Sequence, residues 1–131
     1  MIFEITHCAS VLFGQGASQQ TGKKLKELGV SKVLCIYDKG IKEAGILNKI
    51  IDGIKAEQIE VVEFGDVLPD PPDTMVDKAG DLGRQEGVDG VVGIGGGSTM
   101  DTAKAVNVLL GNPGSISKYF DFSVVRKPGK P

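Results

Sequence analysis

His7 is the only histidine in 131 residues, and that scarcity excludes a good deal. A histidine-based metal centre gathers two or three imidazoles around one ion, so this chain by itself cannot supply one. The sequence contains neither a His-x-x-x-His nor a Cys-x-x-Cys pattern. Its two cysteines, Cys8 and Cys35, have no spacing that suggests zinc and make no disulfide framework. Apolar runs are too short to span a bilayer, and the N-terminus lacks the basic-then-apolar layout of a signal peptide. The expected setting is therefore reducing and cytoplasmic, with no membrane partner. Charge of one sign is also missing. Fifteen basic residues face 17 acidic ones, a formal net charge of -2, which gives nucleic acid no general electrostatic hold.

What the chain has in excess is glycine, 19 residues, about twice the usual share of roughly 7%. Hydrophobic residues at 40% and charged residues at 24% are ordinary for a globular protein. The length suits one domain over 1–131 with a genuine core.

Strand and helix signals alternate along the chain. "VLCIYD" (33–38), "IEVVEF" (59–64) and "GVVGI" (90–94) are almost continuously apolar, as strands buried on both faces of a parallel sheet would be. They recur at about 30 residues, the length of a βαβ unit. "IFEI" (2–5) and "SVLF" (10–13) are shorter strand candidates for an edge or a hairpin. The spacing predicts helices over 18–29, opened by Ser18 and closed by Gly29, and over 45–55, with Ile46, Ile50 and Ile54 on one face. Two more follow over 72–87, with Met75, Ala79 and Leu82 in a stripe, and over 98–111. In the last, Ser98 and Asp101 read as a Ser-x-x-Asp capping box. The fold class implied is α/β: an open, mostly parallel, Rossmann-like sheet with flanking helices. The tail 121–131 reads as loop, with a weak strand signal at Val124 and Val125.

Three loops are candidates for function. "GIGGGS" (93–98) joins a strand to a helix, where open α/β sheets bind ligands. Glycines there let backbone N–H groups face outward and let a phosphate approach bare backbone, helped by the positive end of the helix dipole. A plain βα turn would need only one glycine. "FGQGASQ" (13–19) offers Gly14-x-Gly16 before a helix but has Gln19 where G-x-G-x-x-G needs its last glycine, so it is the weaker phosphate loop. Asp38, about 20 residues further on at a strand end, stands where a ribose-binding carboxylate would; a turn or helix cap accounts for it equally well. "GDVLPDPPDT" (65–74) lies on the same sheet edge, so Asp70 could face a nucleotide, or the prolines could simply stiffen a connection.

"GGGSTMDTAK" (95–104) fits Gly-Gly-Gly-Ser-x-x-Asp-x-Ala-Lys and resembles the iron-containing alcohol dehydrogenase family. "LFGQGA", "VLCIYDKG" and "FGDVLPDPP" follow that family's order and spacing, so the resemblance covers nearly the whole chain. It implies that Gly95, Gly96, Gly97, Ser98 and Thr99 hold the pyrophosphate of NAD, or less readily of NADP, and that Asp38 meets the adenosine ribose. Asp70 stands where the family usually has Asn, which loosens its link to the nucleotide. Lys104 matches a motif lysine whose role is either in the motif or in a surface ion pair. Related glycerol dehydrogenases and dehydroquinate synthases share a similar frame, and Ser98 favours the alcohol dehydrogenase branch.

The resemblance further implies a small alcohol or aldehyde substrate in the intact enzyme, and it leaves homo-oligomerisation open. It also implies a divalent metal, iron by the family's name, held by one Asp and three His of a helical domain not represented in these residues. The expectation is thus a cofactor domain inactive alone. The rival expectation is a stand-alone nucleotide-binding or interaction module without chemistry.

Overall fold

In the computed structural model, which describes residues 9–121 and 124–131, the apolar runs form three parallel strands with helices on both faces. A short 3₁₀ turn (Ala17–Gln20) leads into α1 (Thr21–Glu27), and β1 (Lys32–Asp38), α2 (Lys39–Glu43) and α3 (Ile46–Ala56) follow. Then come β2 (Glu60–Val67), α4 (Asp73–Glu86), β3 (Gly90–Ile94), α5 (Gly97–Gly111) and a second 3₁₀ turn (Ile116–Tyr119). The strand order is β2-β1-β3, with both pairs parallel.

Burial explains the order. Val33 to Tyr37 are all buried, so β1 is the central strand and its alternation feeds two cores. Leu34 and Ile36 pack with Met75, Ala79, Val106 and Leu109 of α4 and α5. Val33, Cys35 and Tyr37 pack with Leu25 of α1 and with Leu47, Ile50, Ile51 and Ile54 of α3. Burial pushes the Cys35 thiol up to about 12, which makes it an inert packing group. The expectation of strands buried on both faces holds for β1 alone. β2 and β3 are edges among the described residues, and much of their surface is only half-buried.

Other differences have local causes. Ile46 is exposed, because the buried stripe of α3 runs through Leu47, Ile50, Ile51 and Ile54 instead. Leu82 is partly buried beside the better-buried Met75, Val76 and Ala79. Residues 10–13 form no strand, and Val11, Leu12 and Phe13 are exposed without a ladder to join. The candidate strand 2–5, His7 and Cys8 lie outside the described residues. The tail is held by two asparagine side chains and one backbone bond rather than by a strand at Val124 and Val125. Asn112 Oδ1 accepts from Arg126 and Lys127 N–H, Asn107 Oδ1 accepts from Lys130 N–H, and Val91 N–H donates to the Pro131 carbonyl.

At the amino-terminal end of the sheet, one carboxylate joins β1 to the turn before β3. Asp89 accepts from Ser31 N–H and from Lys32 N–H at 2.8 Å, and from the Ser31 hydroxyl at 2.6 Å. Burial on its own would raise this carboxyl, but the Ser31 hydroxyl and the N–H groups of Lys32, Ser31 and Asp89 itself outweigh it, holding it below the usual value. A depressed folded-state pKa gives stability that is complete above the unfolded value near pH ~4 and is lost as pH falls through the folded one. Asp89→Ala is expected to lower unfolding free energy by about 1–3 kcal/mol near neutral pH. Urea titrations in neutral and strongly acidic buffer check this: the gap between variant and wild type should close in acid.

Candidate functional site

β1 and β3 run side by side, with Tyr37 opposite Ile94, so their next residues, Asp38 and Gly95, emerge together at the carboxyl edge of the sheet. The connection from β1 goes to β2 on one side, while β3 lies on the other. The crevice between β1 and β3 is therefore the point where an open α/β sheet changes direction, the usual ligand position in such folds.

Asp38 finishes β1 and starts α2. Its Oδ1 accepts from Ile41 N–H at 3.0 Å, capping that helix, and its Oδ2 accepts from the Thr99 hydroxyl at 3.2 Å. Across the crevice, the four glycines of the second loop divide by what they meet. A Cβ on Gly93 would stand 2.9 Å from Ala103 Cβ, where α5 lies closely on β3. Gly95 has φ +156°, and a Cβ there would meet Thr99 Oγ1 at 2.6 Å and Asp38 Oδ2 at 3.0 Å. The fold requires both. Gly96 and Gly97 have neither a left-handed φ nor any atom within 4 Å of a would-be Cβ. The fold does not account for them, and what they provide is clear space in front of a helix end.

That helix end carries free donors. α5 begins at Gly97 with Gly96 as its N-cap, and no side chain caps it. Gly96 C=O accepts from Met100 N–H, which starts the helical ladder. The preceding N–H groups, of Gly97, Ser98 and Thr99, have no acceptor within the helix and point along the positive end of its dipole. The predicted Ser98–Asp101 capping box is not formed. Ser98 is already inside the first turn, where its carbonyl accepts from the Thr102 hydroxyl at 2.7 Å. Asp101 lies a turn further on and pairs with Lys104 at 3.6 Å on the exposed face. No acidic side chain remains in the first turn to repel an anion. Lys104 is thus a surface ion-pair partner.

Gly96, Gly97, Ser98 and Thr99 line one wall of a cleft of about 400 Å³. Asp38, Lys39 and Gly40 supply its floor residues from the β1–α2 junction, and Val67, Leu68 and Pro69 an apolar wall from the end of β2. Gly95 is not part of this lining. Asp70 is one residue beyond it, exposed, with φ 48°; Asp and Asn tolerate that left-handed conformation better than most residues. Gly40 and α2 escaped the sequence reading, and the loop over 65–74 was a candidate there for Asp70 rather than for Val67, Leu68 and Pro69. An Asp ending a strand just before "KGIKE" is an N-cap signal that could have revealed α2.

Two other clefts are poorer places for a phosphate. A groove of about 660 Å³ along β2 and α4 is lined by Glu63, Asp66, Asp77 and Asp81 against a single cation, Lys78. The first glycine loop lines a separate cleft of about 390 Å³ with Phe13, Lys23 and Lys24, and shares no residue with the cleft at α5. There Gly14 and Gly16 sit at φ 147° and 81°, so turn geometry explains both glycines. Among the described residues, no group of three or more His, Cys, Asp or Glu side chains could hold a metal ion. None of the helices there is long and apolar enough to cross a membrane.

Comparison with known proteins gives a consistent result. A family model described as "Iron-containing alcohol dehydrogenase" matches residues 8–131. A choline dehydrogenase from Bacillus subtilis (strain 168) is 43% identical over 106 residues, 81% of this chain and 26% of that protein. An NAD-dependent methanol dehydrogenase from Bacillus methanolicus is 37% identical, over 94% of this chain and 32% of that protein. The crystal structure of an NADH-dependent butanol dehydrogenase from Thermotoga maritima superposes with a TM-score of 0.88 at 33% identity, covering 97% of this chain and 32% of that one. The chain therefore spans about a third or less of the length of these relatives.

The two classes of glycine should separate in a stability measurement. Gly95→Ala is expected to lose about 1–3 kcal/mol, through backbone strain and the clash with Thr99 and Asp38. Gly97→Ala should change stability by less than about 1 kcal/mol and in the favourable direction, since alanine suits a helix better than glycine. Denaturant midpoints of the two variants check the contrast.

Proposed function

The chain belongs to the iron-containing alcohol dehydrogenase family, and on that premise we propose that it is the dinucleotide-binding portion of an NAD-dependent alcohol dehydrogenase. One observation carries the reading. Gly96 and Gly97 leave open space before an uncapped helix N-terminus that the fold itself does not need, and a pyrophosphate fits that space and its donors.

In this reading the N–H groups of Gly97, Ser98 and Thr99 receive the pyrophosphate, and the Ser98 hydroxyl can add a further donor. Asp38, at the base of the same cleft, accepts from the ribose hydroxyls with the lone pairs that its two existing donors leave free. The apolar wall of Val67, Leu68 and Pro69 suits the flat, weakly polar face of a base. Asp70, beyond that wall, shapes the loop and approaches the nucleotide only from its edge. When bound, the nicotinamide exchanges a hydride with an alcohol carbon in the whole enzyme, and this portion contributes binding and orientation. NAD is favoured over NADP. A 2′-phosphate carries between one and two negative charges, and each unit of like charge about 4 Å from a carboxylate costs roughly 4 kcal/mol at an effective dielectric of 20, before screening and rearrangement. The relatives' family name points to iron, but the described residues do not form a metal site, so no step is assigned to a metal on this chain. Small alcohols or aldehydes as substrates, and assembly into oligomers, belong to the whole enzyme in this proposal.

Gly97→Val fills the open space without straining the apo fold. It is expected to weaken NADH binding at least about tenfold, a loss of roughly 1.4 kcal/mol or more, while the melting temperature stays within a few degrees. Gln19→Ala, in the other glycine loop, should leave affinity within about twofold, less than 0.5 kcal/mol. Titration by cofactor fluorescence reads both, and equal losses would mean that the pyrophosphate is not held at α5 alone. The 131-residue chain should oxidise no alcohol in the presence of NAD and an added divalent metal; turnover abolished by a chelator would contradict the proposal that it is only the cofactor portion.

A further inference from the structure

We propose that Thr99 is a positioning residue for cofactor specificity: its buried hydroxyl holds the Asp38 carboxylate in the orientation that accepts a ribose with two free hydroxyls and repels one bearing a 2′-phosphate. The inference rests on the dinucleotide reading of the cleft and assigns the Thr99 side chain a task of its own, beside the phosphate contact proposed for its backbone N–H.

Thr99 is 1% exposed, so its side chain does not reach out of the helix end to a ligand. Its hydroxyl points inward and donates to Asp38 Oδ2 at 3.2 Å. The other carboxylate oxygen, Oδ1, takes Ile41 N–H at 3.0 Å. Each oxygen offers about two acceptor positions, so one on each is left for a ligand. Held from both sides, the carboxylate is biased against turning away from an incoming phosphate, and its charge faces the cleft that it lines. The surroundings are cleared for this arrangement. Gly95 is the position where any Cβ would strike both Thr99 Oγ1 and Asp38 Oδ2. Lys39, exposed and lining the same cleft, is the cation nearest in sequence that could answer a 2′-phosphate once the carboxylate is released. At 3.2 Å the Thr99 bond is long for a hydroxyl donor, so it guides the carboxylate more than it clamps it, and its effect on specificity should be moderate.

The test compares dissociation constants for NADH and NADPH, read by cofactor fluorescence, in wild type, Thr99→Val, Thr99→Ser and Asp38→Asn. Asn keeps an oxygen to cap α2 while removing the charge. Wild type should prefer NADH, and Thr99→Val should narrow that preference about threefold to tenfold, as loss of one hydrogen bond of ordinary net strength would, the long 3.2 Å bond falling short of a full charge-assisted one. Thr99→Ser, which restores the hydroxyl, should keep the ratio within about twofold. In an Asp38→Asn background, Thr99→Val should leave the ratio where it is. If Thr99→Val weakens both cofactors equally, or leaves the ratio untouched while Asp38→Asn shifts it, Thr99 is only a packing residue and the inference fails while the ribose role of Asp38 stands. If Asp38→Asn does not move the ratio either, or wild type binds neither cofactor, the dinucleotide reading falls and takes this inference with it.

Discussion

A strand buried on both faces must have helices above and below it, and β1 imposes that condition on everything else in this chain. Its five central residues are all covered, odd and even positions feeding separate cores. Once β1 is central, β2 and β3 must lie on opposite sides of it. Parallel connections then send α3 to one face and α4 and α5 to the other. The crevice at the carboxyl ends of β1 and β3 follows from this, and so does the meeting of Asp38 with the start of α5. The functional cleft is a consequence of how one apolar segment is buried.

Charge then decides which of the available clefts suits an anionic ligand. A chain with net charge near zero has no overall field to draw a dinucleotide in. Local dipoles and exclusions matter more. The roomier groove beside β2 is lined with four carboxylates, which oppose a phosphate whatever its volume. The smaller cleft places its only carboxylate, Asp38, beside the β1–α2 junction and leaves the first turn of α5 free of acidic side chains. Moving Asp101 to a surface pair with Lys104 is part of that separation. A carboxylate in the capping position would have put negative charge where a phosphate needs donors.

The long-range plan was legible in the sequence because it depends on apolar periodicity, and the three strands and four main helices fall close to where their patterns place them. Residues 10–13 show the limit of that signal. "SVLF" has strand composition, but a strand also needs a neighbouring backbone, which no local pattern reports. The capping box failed for a related reason. Ser-x-x-Asp is a sound local rule, yet the helix began two residues earlier, because Gly96 could leave the strand and start the turn without a side chain. Within the site, the glycine cluster and Asp38 were readable as chemistry. The difference between Gly95 and Gly97 was not, since it depends on which atoms lie opposite each one. The contact between Thr99 and Asp38, 61 residues apart, could be found only in three dimensions.

The central claim is that a dinucleotide's pyrophosphate rests on the bare amino end of α5. Amide chemical-shift mapping of the unmodified chain during an NAD titration addresses it most directly, because it reports the backbone donors themselves and detects weak binding. The account predicts that the N–H signals of Gly97, Ser98 and Thr99 move first and furthest, with those of Lys39 and Gly40 following and those of Gly14 to Ala17 unmoved. Shifts centred on Gly14 to Ala17, or along β2 and α4, with Gly97 to Thr99 silent, would contradict it.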